Sequence, residues 1–171
     1  MAILSPTNGL SQGEHEIIRN FARESKKLKL AQLDEDGIRE DFYGLHSDIV
    51  HELKTKDSGM IAEFYELSEV LNDISMLCTP ETAYMYGCRS RKAGIDANQG
   101  FMDFTYYLSN AIDASGLSKK RDTLFYKICD ALGDARGLLS EFIDLHNKVN
   151  VEQFYVHCFF DLGFSDNKLL A

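Results

Sequence analysis

An all-α fold, a single-domain orthogonal or irregular bundle of seven or eight helices, is predicted by three features of the sequence. Apolar residues recur at helical steps of three and four over most of its length, as in Phe42, Leu45, Ile49 and Leu53. Turn-forming residues interrupt that pattern about once per helix length, at Asp36-Gly37, Ser58-Gly59, Thr79-Pro80, Ser115-Gly116 and Gly133. Only residues 154–162 also fit the alternation of a strand, and a lone strand has no partner to pair with.

The 171 residues suit one domain, and 44% hydrophobic with 26% charged residues is the balance of a folded, soluble chain. No apolar run is long enough to span a bilayer. The first ten residues carry neither a basic flank nor a signal-length apolar core, so a cytoplasmic protein is expected.

Residues 1–10 read as an irregular lead-in. Ser11 and Glu14 have capping-box spacing, in which each can satisfy a free backbone amide of the other's residue. The helix that follows, to about Leu33, is expected to bury Ile17, Ile18, Phe21 and Leu28. Two further stripes, Phe42 to Leu53 and Ile61 to Ile74, are joined by a short loop and should pack on each other as an antiparallel acidic pair spanning about 34–77. Thr79-Pro80 starts the next helix, threonine as cap and proline at the first helical position. Residues 94–99 read as a polar link. Phe101, Phe104, Tyr107 and Leu108 open another stripe, and Ser118 is placed to cap the helix carrying Leu124, Ile128 and Leu132. Leu138, Leu139, Phe142 and Leu145 supply one more. A buried helix is preferred for 154–162, with His157 and Asp161 four apart and able to meet, and with Gly163 as its stop. The domain is thus expected over 11–163, with 164–171 as a short tail.

The formal charge is −9, and it is local. Residues 34–73 hold 12 acidic and 3 basic side chains, whereas the rest holds 15 of each. Such a field repels phosphate backbones and attracts basic surfaces. The basic clusters elsewhere, such as Arg19 to Lys29, lack the interleaved aromatics of a single-strand platform.

Catalytic signatures are missing: the sequence has no dinucleotide or phosphate-loop glycine pattern, no nucleophile elbow, no paired zinc histidines and no calcium loop. Cys78, Cys88, Cys129 and Cys158 form no CxxC pair and read as buried, reduced thiols. His46 and His51 are five apart, about 140° round a helix, so one straight helix cannot present both to a metal. No catalytic residue, metal ligand or cofactor is therefore assigned.

The function expected is that of a non-enzymatic protein-binding or regulatory protein. It would present Asp41, Asp48, Glu52, Glu63, Glu66 and Glu69 to a basic protein or to the basic surface of a nucleic-acid-binding protein, in one form as a nucleic-acid mimic or inhibitor. Direct nucleic-acid or membrane binding is not expected. Tyr86, Arg89, Arg91 and Tyr106 mark a second ligand or interface edge. The alternatives are a helical-bundle enzyme or metal protein on which His46, His146 and His157 converge with carboxylates, and a structural protein that forms homo-oligomers through its surplus aromatics.

Overall fold

The computed structural model describes residues 11–77, 79–149 and 155–165. Every element among them is helical: α1 (Gln12–Glu35), α2 (Ile38–Lys56), α3 (Met60–Met76), α4 (Pro80–Lys92), α5 (Ala97–Ser115), α6 (Leu117–Leu132), a 3₁₀ turn (Gly133–Arg136), α7 (Gly137–Val149) and a π-helix (His157–Phe164). The all-α expectation holds. The expected count of seven or eight helices needs correcting. α6, the 3₁₀ turn and α7 follow one another with no loop between them, Gly133 (φ 58°) marking the turn, and taken as one helical stretch they leave six α-helical stretches among the described residues. The last segment is a π-helix, whose wider turn the side-chain pattern did not reveal.

The boundaries follow local chemistry. Thr79 caps α4, its hydroxyl accepting from the Thr82 amide at 3.2 Å, with Pro80 at the first position. Gly37 and Gly116 adopt left-handed backbone (φ 72° and 77°) and so turn the chain into α2 and α6. Two caps differ from expectation. Asp96, read as part of a polar link, accepts from the amides of Asn98 (2.9 Å) and Gln99 (3.4 Å) and starts α5 at Ala97. Ser118 lies inside α6 and donates to Asp113 instead, at 2.8 Å, while the Ser115 hydroxyl accepts from the Leu117 amide at 3.2 Å.

Contacts gather the chain into two units where one continuous core was expected, with boundaries at 29/30 within α1, 77/78 between α3 and α4, 110/111 within α5, and 151/152. The second unit, residues 30–77 and 111–151, is built on α2, α3, α6 and α7. Its core holds Ile49 and Leu53 from α2, Phe64, Leu67, Val70 and Leu71 from α3, Leu124, Ile128 and Leu132 from α6, and Leu139 and Phe142 from α7. Phe42 stacks on Phe142 with centroids 4.9 Å apart, and Phe64 meets Phe142 edge-on at 5.1 Å. The main partners are α7 for α2 and α6 for α3; α2 and α3 touch only lightly. The acidic helices were expected to pack on each other because a short loop joins them. Their apolar stripes instead find most of their cover on helices far along the chain. Lys56, at the end of α2, donates to the Leu132 carbonyl at 2.8 Å and occupies a free acceptor at the end of α6.

The first unit contains the described residues up to Lys29, those of 79–110, and those from 155 on. Its main contact is α4 against the π-helix. The two backbones meet at glycines. A Cβ on Gly87 would lie 2.5 Å from the Phe159 carbonyl oxygen and 2.8 Å from the Gly163 Cα. A Cβ on Gly163 would collide with the Tyr84 carbonyl. Gly163 therefore does not stop the helix as expected; it lies within the π-helix and lets α4 approach. One turn further along α4, a Cβ on Gly100 would lie 2.7 Å from the Ser90 hydroxyl, so α5 also approaches closely there. Phe101, Phe104, Phe159, Phe160 and Phe164 fill the remaining space with neighbouring ring centroids 5.0–6.2 Å apart.

α1 departs from its expected burial. Ile18 and Leu33 are buried, but Ile17, Phe21 and Leu28 are exposed. The side of the helix that the protein covers is not the side carrying the most apolar surface. The lead-in 1–10 and tail residues 166–171 lie outside the described residues, as does Cys78.

Candidate acidic groove

On α2, Glu40, Asp41, Gly44, Leu45 and Asp48 recur at helical spacing and share one face. On α7, Glu141, Asp144, Leu145 and Lys148 do the same. The packing of α2 on α7, anchored by Phe42 on Phe142, brings the two faces together as the walls of an open groove of about 580 Å³. Leu45 and Leu145 supply apolar lining. Gly44 keeps the groove wide, because nothing lies within 4 Å of where its Cβ would be. Five carboxylates and one ammonium line this space. Like charges so placed reinforce one another's field inside a concave surface.

The six carboxylates singled out from sequence part company. Asp41 and Asp48 line the groove. Glu52 pairs with Lys56 at 3.3 Å. Glu66 pairs with Lys120 of α6 at 3.0 Å. Glu63 is half-buried on α3, and Glu69 is exposed there. The second wall, Glu141 and Asp144, was missed. Their i, i+3 spacing is visible in the sequence, but nothing local says that this face of α7 stands beside α2.

Two histidines lie in the aromatic cluster of the same unit. The His146 ring is 5.8 Å from Phe42 and 6.0 Å from Phe142, with only 3% of the residue exposed. Burial pushes its pKa down to about 4, so the imidazole is neutral at neutral pH. His46 is 5.0 Å from Phe64 and 5.9 Å from Phe142, and burial lowers its pKa as well. Two of the three histidines required by the enzyme alternative thus share an aromatic cluster, and His157 belongs to the other unit. There its Nδ1 meets the Asp161 carboxylate at 2.8 Å, as the four-residue spacing predicted. Among the described residues, no group of three or more His, Cys, Asp or Glu is placed to hold a metal ion.

The proposed tyrosine–arginine edge is divided among different tasks. Tyr86 is half-buried against Phe104 and Tyr107, and burial raises its phenol pKa. The Arg91 guanidinium donates to the Ser165 carbonyl, tying α4 to the end of the π-helix. Arg89 and Tyr106 are exposed. Cys88, Cys129 and Cys158 are free thiols, and burial raises the pKa of each, that of Cys158 to about 12. Such thiols are poor nucleophiles. No helix among the described residues is long and apolar enough to cross a membrane.

Comparison of the chain with protein-family models, with curated proteins and with solved structures finds no match.

Proposed function

We propose that this is a non-enzymatic binding protein of the cytoplasm, whose α2–α7 groove takes a basic segment of a partner protein. The observation that carries the reading is the gathering of Glu40, Asp41, Asp48, Glu141 and Asp144 around one groove with Lys148 as the cation beside them. A basic segment laid there gains from every carboxylate at once, while Leu45 and Leu145 accept its aliphatic stems. The acidic surface of the proposal is therefore built from α2 and α7 rather than from α2 and α3. A regulatory role follows if the bound segment is one that its owner needs elsewhere, as in a nucleic-acid mimic that occupies a basic site.

Calorimetric titration with a lysine-rich helical peptide tests this. Binding is expected at about 50 mM salt and should weaken at least tenfold by about 300 mM, as screening shortens the reach of the carboxylates. Asp41→Asn combined with Asp48→Asn and Asp144→Asn should lower affinity by about tenfold or more, since truncating charges at an electrostatic interface costs about a kcal/mol or more in total. Glu69→Gln, outside the groove, should leave it unchanged. Equal effects from the groove and Glu69 substitutions would refute the assignment.

A further inference from the structure

We propose that the groove admits one long cationic side chain of the basic segment, lysine or arginine, into a notch at Gly44, where Asp41, Asp48 and Asp144 receive its charge. The inference rests on the groove being a site for basic segments, and it names the position that selects them.

Gly44 lacks the reasons that account for glycine elsewhere in the fold. Inside a helix, glycine costs up to about 1 kcal/mol against alanine. The other described glycines meet close neighbours, adopt left-handed backbone or stand at helix starts, as Gly87, Gly116 and Gly137 do. Gly44 does none of these. It lies in the second turn of α2, its φ is not positive, and nothing is within 4 Å of where its Cβ would be. The protein's own packing therefore leaves the space beside it unfilled.

Contacts along α2 and α7 fix what stands across from the notch. Phe42 meets both Phe142 and His146, with centroids 4.9 Å and 5.8 Å apart, and His46, one turn later on α2, reaches back to Phe142 at 5.9 Å. Lys56, at the end of α2, meets the Leu132 carbonyl just before α7 begins. The two helices are therefore antiparallel, each step forward on α2 matching a step back on α7. That register sets Gly44 level with Asp144, and Glu40 level with Lys148. Asp41 and Asp48 flank Gly44 on its own helix, about 4.5 Å before it and about 6 Å after it along the axis. None of these three aspartates forms an ion pair among the described residues, whereas Glu52 and Glu66 do. Three carboxylates around one space repel one another, and a cation entering between them relieves that repulsion as well as gaining attraction. The methylenes of its stem lie against Leu45 and Leu145. A short or acidic side chain gains neither.

Titration of Gly44 variants with the lysine-rich helical peptide tests the proposal. Gly44→Leu fills the notch without changing any charge, and should weaken binding about tenfold or more, as for the loss of one close charge pair. Gly44→Ala should fall between it and the unaltered chain. Both variants should unfold in urea no earlier than the unaltered chain, because each improves helix propensity. Ser47→Leu puts the same side chain on α2 outside the groove lining and should leave affinity unchanged. A double-mutant cycle supplies the second readout. Asp144→Asn alone should weaken binding, but should cost nothing further once Gly44→Leu has shut the notch. Glu40→Gln, at the other end of the groove, should cost the same in both backgrounds. Full affinity in Gly44→Leu, or additive effects of Gly44→Leu and Asp144→Asn, overturns the notch and leaves the groove reading standing. Spermidine that binds as tightly as the peptide also overturns it, since a free amine would then be the occupant. An unaltered chain that binds no peptide rejects both levels of the argument.

Discussion

The two units hold their helices together in opposite ways. In one, α4 and the π-helix are joined where side chains are missing, at Gly87 and Gly163, and backbone lies on backbone. In the other, α2, α3, α6 and α7 are held apart by large side chains, with Phe64 and Phe142 at the centre and the groove left open at one flank. The difference decides what each can tolerate. A contact between backbones has no rotamer to move out of the way, whereas a core of side chains adjusts to changes in shape and suffers chiefly when volume is lost.

The sharpest break of the comparison is Phe142→Ala. Phe142 is fully buried and touches Phe42, Phe64, His46 and His146. Its loss should cost about 4 kcal/mol, read by urea unfolding, as expected when a buried ring leaves a cavity. Near-native stability would mean that the four-helix core closes round the gap.

Acid should act on the same unit. His146 is held neutral, with its pKa at about 4 in the fold against an ordinary 6.5. The unfolded chain takes up the proton first, so the stabilisation is complete above about pH 6.5 and disappears as the pH falls toward 4. The loss is about 3 kcal/mol over that window, because each tenfold rise in proton concentration between the two pKa values favours the unfolded chain by about 1.4 kcal/mol. Unfolding midpoints measured at several pH values should show this slope, and His146→Leu should flatten it; an unchanged slope would remove His146 as its source.

A matched pair of glycine substitutions then contrasts the units directly. Gly87→Ala places a methyl group 2.5 Å from the Phe159 carbonyl oxygen, and should cost about 1–3 kcal/mol by overpacking. Gly44→Ala, in open space on α2, should stabilise by up to about 1 kcal/mol through helix propensity while narrowing the groove. Thermal melts of the two variants should therefore move in opposite directions. The smallest effect is expected from Glu66→Gln. It removes a half-exposed ion pair with Lys120 and should change stability by less than about 1 kcal/mol in the same unfolding assay.

Legibility in the sequence follows the distance over which a feature is decided. The Thr79 cap was readable because its donor, the Thr82 amide, lies three residues away. The His157–Asp161 pair was readable for the same reason. The Asp96 cap was equally local but was passed over, since the segment around it was taken for a polar link. The glycine crossing could not be read, because Gly87 and Gly163 mean nothing until α4 and the π-helix are placed together. Half of the groove was in view through Asp41 and Asp48. The other half required knowing that α7 lies beside α2.

By itself the sequence determined that the chain is helical, roughly where each helix begins and ends, and that its negative charge is concentrated in residues 34–73. These depend on residue spacing, caps and composition, which act within a turn or two. Only the tertiary structure decided that α2 pairs with α7 and α3 with α6, that Ile17, Phe21 and Leu28 stay exposed, and that two glycines become a crossing point. An apolar stripe says that a helix must be covered, but several partners satisfy it alike, and the choice among them rests on the fit of side chains far apart in the chain.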